Sequence, residues 1–213
     1  MVTIHPVQFC DLALKSDKDT EARFRPDGTV IADWFAIGTV ARVGVLVYIL
    51  DVFRAQIPFP EQVKALIREH HHWKSTKIGI ENIAYQWALG QAAWDKGLPV
   101  VPVKYPGDHL YRAQLATPHF ETGRVKIRAV NENGVLVPHP AMKRFIREAC
   151  DMPYGENDDC VDAIVGAVLM CTSEEFLGRE YAGEVSKGFG IAIAGGTGAV
   201  YRGDPFDVHP SFY

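Results

Sequence analysis

Apolar residues along this chain fall into short β-branched runs and longer runs with helical spacing, a pattern typical of a mixed α/β domain. The runs at 30–41 and 45–54 flank a short turn at Arg42-Val43-Gly44 and predict an antiparallel hairpin. The other short runs predict strands at 4–10, 77–80, 98–104 and 124–130. Helical spacing predicts helices at 60–73, 82–97, the first half of 109–123, 141–151 and 158–177. This order predicts a mixed central sheet with helices on both faces.

Three stretches of the sequence lack these patterns. The polar stretch 16–29 separates the first strand from the hairpin, and residues 131–140 are predicted to form a loop. After about residue 180 the chain is rich in glycine and shows no period. We therefore predict one domain over residues 1–180, followed by a tail or arm over residues 181–213.

Composition narrows the class of protein. The chain has 213 residues, of which 47% are hydrophobic and 23% charged, so it can fold as one large domain rather than remain disordered. No apolar run approaches the roughly 18 residues that span a bilayer. The net charge of −4 excludes an overall basic coat for nucleic acid but leaves a local basic groove open. The four cysteines form no Cys-x-x-Cys pair, which favours reduced thiols over a zinc site or a disulfide framework.

Carboxylates stand at the predicted ends of buried elements. Asp11 follows the first strand, Glu81 directly follows the run at 77–80, and Asp158, Asp159 and Asp162 cluster where the last helix begins. A carboxylate in such a place is costly unless a cation or a hydrogen bond compensates it. Convergence of these acids would make a site for hard divalent cations such as Mg²⁺ or Mn²⁺. Two such ions, about 4 Å apart, activate water and stabilise the leaving oxygen in phosphodiester cleavage.

Simpler interpretations exist for each of these acids. Asn157 or Asp158 can be a helix N-cap, with the neighbouring acids complementing the positive end of the helix. Asp11 can be a turn residue and Glu81 a residue of a helix start. The pattern alone leaves both interpretations open.

Several segments taken together resemble the nuclease domain of the large terminase subunit of tailed bacteriophages. They are VQFCDLALK, ADWFAIG, VYILDVFR, IGIENIAYQWALGQ and GENDDCVDAIVGA, in that order, spanning residues 7 to 175. The family motifs appear as Asp11, Asp33-Trp34, Asp51 with Arg54, Ile80-Glu81, and the run from Asp158 to Ala163. Each motif is short, and the resemblance depends on their order and spacing.

The resemblance implies a ribonuclease H-like fold and endonucleolytic cleavage of double-stranded, concatemeric viral DNA during phage genome packaging. It implies two Mg²⁺ or Mn²⁺ ions. The implied catalytic residues are Asp11, Glu81 and Asp159. The implied metal ligands are Asp11, Glu81, Asp158, Asp159 and Asp162, with Asp159 preferred over Asp158 if only one of the two coordinates. Asp33 and Asp51 are expected to be structural.

The sequence departs from the family pattern at residues 107–112, which read Gly-Asp-His-Leu-Tyr-Arg. His109 stands where the family usually has a lysine, which would make the cation near the scissile phosphate pH-dependent. The resemblance and the local charge together assign DNA binding to His109, Arg112, Arg124 and Lys126. The basic block between residues 104 and 147 either follows phosphates or is ordinary surface charge. The stretch 16–29 is also longer than the family's usual turn, and it either meets DNA or is simply solvated.

The implied partners are double-stranded DNA, the terminase ATPase domain, the small terminase subunit and the portal, in the cytoplasm of the host cell. The sequence contains no G-x-x-x-x-G-K-[ST] phosphate-binding loop, so we expect an excised nuclease domain or a separate nuclease chain, and the abrupt start favours excision. Two alternatives stay open. One is another ribonuclease H-like nuclease such as a Holliday junction resolvase, and the other is a catalytically silent DNA-binding or assembly module.

Overall fold

A computed structural model describes residues 4–12, 34–105, 107–173 and 211–212. The polar stretch 16–29, Asp33 and nearly all of the predicted tail therefore lie outside the described residues. Strands in the described part are β1 (Pro6–Leu12), β2 (Phe35–Val43), β3 (Leu46–Ala55), β4 (Lys77–Glu81), β5 (Val100–Val103), β6 (Val125–Glu132), β7 (Val135–Pro138) and β8 (Ser211–Phe212). Helices there are α1 (Phe59–Trp73), α2 (Ala84–Trp94), α3 (His109–Glu121), α4 (Met142–Asp151) and α5 (Asp159–Thr172).

The strands form one mixed sheet in the order β5-β4-β1-β2-β3-β6-β7, with β8 pairing to β6. The hairpin β2–β3 is antiparallel, and β2 also runs antiparallel to β1. By contrast, β4 is parallel to β1 and to β5, and β6 is parallel to β3. The predicted hairpin and the predicted mixed sheet are confirmed.

Helices cover both faces of this sheet, as predicted. One apolar cluster joins the sheet to α3, α4 and α5, and a second joins it to α1 and α2. Along β1, Val7 and Phe9 belong to the first cluster, whereas Cys10 and Leu12 belong to the second. Because side chains of a strand alternate between its faces, Asp11 is directed towards α5.

Helix α5 lies unusually close to the sheet, because glycines leave room for it. A Cβ added at Gly38 of β2 would come within 2.6 Å of the backbone oxygen of Ala163, and one added at Gly166 would enter the ring of Phe9. Every residue of α5 from Asp159 to Cys171 is buried. The acidic start of this helix is therefore held against the strands below it.

A β-bulge interrupts the hairpin. Thr39 pairs with Asp51 and Val40 with Ile49, so Leu50 is an extra residue in β3. Ile49, before the bulge, packs in the α5 cluster, and Phe53, after it, packs on the opposite face. The extra residue therefore changes which positions of β3 face α5, and it directs Arg54 to that side.

Two predictions about local structure were wrong. Residues 131–140 are not a loop throughout, because Val135–Pro138 forms β7 and pairs with β6. The turn between them consists of Asn133 and Gly134, both with positive φ (54° and 85°), which is the favoured geometry for a two-residue hairpin. Helix α3 also continues to Glu121, through Pro118, instead of ending midway.

Other sequence expectations can be compared with the described residues. All four cysteines are free thiols, and Cys150 alone among them is exposed. Ser211 and Phe212, which fall in the predicted tail, pair with Ala129 and Arg128 of β6. Within the described ranges, no helix is both long enough and apolar enough to cross a bilayer.

Candidate metal centre

The site is built on the edge of the sheet where β1 and β4 end. These strands are parallel, and the pair Cys10–Ile80 is the last that they share before Asp11 and Glu81. Both carboxylates therefore emerge at the same level of neighbouring strands. On the other side of β1, Asp11 pairs with Ala36, which in turn pairs with Arg54. Asp11, Ala36 and Arg54 thus form one row across three strands, and Glu81 continues it.

Helix α5 brings three further acids to this edge. Asp159 and Asp162 are buried in its first turn, although both are acidic. Asp158 occupies the N-cap position, but its side chain accepts no capping hydrogen bond. Asp158 is therefore the N-cap residue by position, but its side chain does not cap the helix.

Helix α3 supplies two cationic side chains to the same edge. It begins after Asp108, whose carboxylate accepts a hydrogen bond of 2.9 Å from the backbone N–H of Tyr111. One turn of helix then places His109 against Asp162, to which its Nδ1 is hydrogen-bonded, and Arg112 against Glu81, to which its Nη1 donates. Nη2 of Arg112 also lies 3.7 Å from Oδ2 of Asp162. Arg112 therefore links the acid of β4 to the acid of α5.

Burial and neighbouring charges shift the pKa values of the titratable groups in this cluster. Burial is the main reason that the pKa of Asp11 is raised to about 8. The charges of Asp162 and Asp159 also raise it, and those of Arg112 and His109 oppose the rise. Burial likewise raises the pKa of Asp159 to about 6. The hydrogen bond to Asp162 raises the pKa of His109 to about 9. Without a bound metal ion, Asp11 and Asp159 therefore keep their protons up to a higher pH than an isolated carboxyl group does.

The residues present fit a divalent cation. Ligand atoms of His109, Asp158 and Asp162 lie within 4.8 Å of one another. Oδ1 of Asp162 is buried and has no hydrogen-bond partner among the described residues, so it is available to a cation. Carboxylate oxygens are the ligands that Mg²⁺ and Mn²⁺ prefer. The structure thus groups Asp158, not Asp159, with Asp162 and His109.

A second polar cluster, which was not predicted from the sequence, lies beside the first. Arg54 is bonded through Nη1 to Glu148 of α4, and its Nη2 lies 2.9 Å from Oδ2 of Asp159 and 2.8 Å from Oδ1 of Asn157. The other oxygen of Glu148 accepts a 2.8 Å hydrogen bond from the backbone N–H of Cys160. Arg54 and Glu148 thereby fix the start of α5.

One sequence signal does point to this second cluster. Glu148 falls three residues after Phe145 and six after Met142, on the face of α4 that is buried. A single carboxylate on an apolar helix face needs a buried partner, and an arginine in an apolar strand is a suitable one.

Two residues predicted to bind DNA do not join the cluster. Lys126 lies level with Tyr48 in the parallel pairing of β3 and β6, six residues before the position of Arg54. At about 3.3 Å per residue, this places Lys126 roughly 20 Å along the sheet from the acids. Arg124 lies still further back, beside His119, whose pKa is lowered by burial and secondly by the charge of Arg124. DNA binding by Arg124 and Lys126 stays a prediction, whereas His109 and Arg112 lie at the acids themselves.

The raised pKa of Asp11 predicts how stability depends on pH when metal is removed with EDTA. Because the folded state binds this proton more tightly than the unfolded state, stability is lost as pH rises from about 4 to about 8. The variant Asp11→Asn lacks this loss. We expect its melting temperature, relative to the wild type, to rise between pH 5 and pH 8 and then to level off. The matched control is Asp51→Asn, on β3 outside this group of acids. A flat difference for Asp11→Asn would contradict the burial argument.

Comparison with known proteins identifies solved structures with a similar fold. No protein-family model and no curated protein matches the sequence. Among solved structures, the large terminase of a thermophilic bacteriophage matches with a TM-score of 0.50 and 13% identity, over 79% of this chain and 40% of that chain. The complex of the same phage terminase with ADP matches with a TM-score of 0.51 and 13% identity, over 78% and 39%. The human cytomegalovirus terminase nuclease domain, soaked with Mn, matches with a TM-score of 0.50 and 13% identity, over 82% and 86%.

These likenesses confirm the predicted ribonuclease H-like fold and the resemblance to terminase nuclease domains that the sequence motifs indicated. At 13% identity they concern the fold alone. The chain spans about 40% of the thermophilic-phage large terminase but most of the cytomegalovirus nuclease domain.

Proposed function

We propose that this chain is a viral terminase nuclease, a metal-dependent endonuclease that cleaves double-stranded, concatemeric DNA during phage genome packaging. The observation that carries the proposal is the meeting of carboxylates from β1, β4 and α5 at one edge of the sheet, where Asp11, Asp159 and Asp162 are buried. Burial, together with repulsion from the acids of α5, raises the pKa of Asp11 to about 8. Acids held together at such a cost are typical of a functional site that a cation completes.

Asp11, Glu81, Asp158, Asp159 and Asp162 are the residues that would hold the metal, which we propose to be two Mg²⁺ or Mn²⁺ ions. When bound, these ions would activate a water molecule and stabilise the departing 3′ oxygen. The cytomegalovirus nuclease domain of similar fold has been soaked with Mn, which supports the choice of metal. Because the metal-free site retains protons, metal binding should release them and strengthen with rising pH.

Arg112 and His109 have a separate task at this edge. Both side chains carry positive charge beside the acids, and the side chain of His109 is 58% exposed whereas that of Arg112 is 9% exposed. We propose that Arg112 orients Glu81 and Asp162. His109, which is the more accessible, donates a hydrogen bond to a phosphate oxygen of the substrate. Asp11, Glu81 and Asp159 are the proposed catalytic acids.

The wider assembly is also a proposal. The chain matches only about 40% of the thermophilic-phage large terminase, so the remainder of such a protein would supply other activities. We propose an ATPase motor domain, a small terminase subunit and a portal as partners, with the host cytoplasm as the place of action.

The proposal is tested by incubating the full chain with supercoiled plasmid in Mn²⁺, in Mg²⁺ and in EDTA. We expect relaxed and linear DNA with a divalent metal and intact plasmid with EDTA. Preference for a four-way junction over linear duplex would instead indicate a resolvase. If Mn²⁺ produces neither cleavage nor a rise in melting temperature, the chain is a silent binding or assembly module.

A further inference from the structure

The carboxylates at the edge of the sheet, which we call the acid cluster, are those of Asp11, Glu81, Asp158, Asp159 and Asp162. A cavity of about 480 Å³ lies next to the acid cluster, between the end of β3 and the first half of α4. Its cationic lining residues are Arg54, Lys143, Arg144 and Arg147, together with backbone and apolar neighbours. No carboxylate belongs to the lining contributed by the described residues. We call this cavity the basic pocket.

Most of the charge in the basic pocket is not neutralised by the protein. Lys143, Arg144 and Arg147 are exposed, and within the described part of the chain none of the three takes part in an ion pair. Three adjacent cations without acidic partners repel one another. The pocket is therefore positively charged, although the whole chain carries a net charge of −4. A concave surface of this kind concentrates anions.

An aromatic ring orders two arginines of the basic pocket. The guanidinium carbon of Arg54 lies 4.0 Å from the ring centre of Trp34, and that of Arg144 lies 5.6 Å from it. Stacking of this type restricts the arginine side chain without using all of its N–H donors. Arg144 is therefore held in place with donors available to a ligand.

The basic pocket borders the acid cluster, because one of its lining side chains is paired with an acid of that cluster. Arg54 lines the pocket, and its Nη2 lies 2.9 Å from Oδ2 of Asp159. An extended anion in the pocket would therefore end beside the start of α5, where the acids meet. A chain of phosphates has this shape, whereas a single small anion would occupy only part of a cavity of about 480 Å³.

We propose that the basic pocket binds the sugar–phosphate backbone of the duplex beside the phosphate that is cut. This inference rests on the proposed nuclease function and adds to it the path of the DNA strand. Arg144, Arg147 and Lys143 donate to phosphate oxygens, so the pocket contributes affinity that does not depend on base sequence. Arg54 separates the pocket from the acids.

The experiment compares the full-length wild type with the double variant Arg144→Gln/Arg147→Gln. The matched control is Lys64→Gln/Lys96→Gln, which removes the same amount of charge. Lys64 lies on α1 and Lys96 follows α2, so both exposed residues are on the other face of the sheet. Binding of a fluorescent 30-base-pair duplex is followed by anisotropy in EDTA, where no cutting occurs, over a series of salt concentrations. The pocket variant should bind on the order of tenfold to a hundredfold more weakly at low salt. Its slope of log affinity against log salt should fall by about 2.

Three results overturn the proposal: wild-type affinity and slope in the pocket variant, equal losses in both double variants, or no binding by the wild type. Plasmid cleavage in Mn²⁺, run in parallel, separates this inference from the proposed function. If the wild type binds DNA through the pocket but never cuts it, the proposed nuclease function is wrong and the proposed role of the pocket stands. If the pocket variant binds and cuts DNA as well as the wild type does, the proposed role of the pocket is wrong and the nuclease function stands.

Discussion

Replacing Asp11 with asparagine is expected to abolish cleavage of plasmid DNA in Mn²⁺, a loss on the order of a thousandfold or more. The carboxylate is buried and interacts with Asp162 and Asp159 of α5, so its loss removes a central ligand of the proposed metal site. Metal ions contribute several kcal/mol to stabilising charge in such reactions, and each 1.36 kcal/mol corresponds to a factor of about ten in rate. The measurement is the initial rate of loss of supercoiled plasmid.

This loss should not come from unfolding. Asparagine has nearly the same shape as aspartate and removes a charge whose burial is unfavourable, so the variant should melt at or above the wild-type temperature near pH 8. Asp51→Asn is the matched control, because Asp51 also lies on a strand of the sheet but outside the acid cluster. If Asp11→Asn cuts at the wild-type rate, the acid cluster is not the catalytic site.

Replacing Arg54 with methionine is expected to lower the free energy of unfolding by about 3 kcal/mol at pH 7. The substitution keeps much of the side-chain volume but leaves the carboxylates of Glu148 and Asp159 without their buried partner. The exposed fractions of these three side chains are only 5–6%, so water cannot replace the guanidinium. At pH 5 the loss should be smaller, because Asp159, whose pKa is already raised to about 6, can bind a proton. Urea unfolding at the two pH values measures both effects.

The variant Arg144→Met is the control for this experiment. Arg144 lies over the same Trp34 ring, but it is exposed and outside the ion-pair network, so the change in unfolding free energy should stay within about 0.5 kcal/mol. Equal destabilisation by the two substitutions would show that stacking on Trp34, and not the buried ion pair, stabilises this region.

Much of the acid cluster could be predicted from the sequence because its members stand at the ends of strongly apolar elements. Asp11 and Glu81 stand at the ends of runs that predict buried strands, and the parallel pairing of β1 with β4 in the structure brings those ends together. The acids at the start of α5 follow from helical spacing alone. Local pattern thus predicts the elements, whereas the edge at which the acids meet depends on the order of the strands in the sheet.

The pair Arg54–Glu148 could not be found in the same way, because its residues are 94 positions apart and belong to elements that touch only in the folded chain. The position of Lys126 shows a related limit. A run of basic residues in the sequence indicates charge, but the register of β6 against β3 decides at which end of the sheet that charge lies. The strand β7 is a different case, since Asn133-Gly134 is a recognised hairpin signal that the loop prediction overlooked.

The extra residue at Leu50 has a consequence for any attempt to redesign or shorten this hairpin. Without it, strict alternation along β3 would turn Arg54 towards α1 and α2, and Phe53 would take its place above the acids. The number of residues in β3 thus governs the charge at the site as firmly as the identity of the residue at position 54 does. An engineered chain with a regular ladder would have to carry its arginine one position away, at 53 or 55, to neutralise the same two carboxylates.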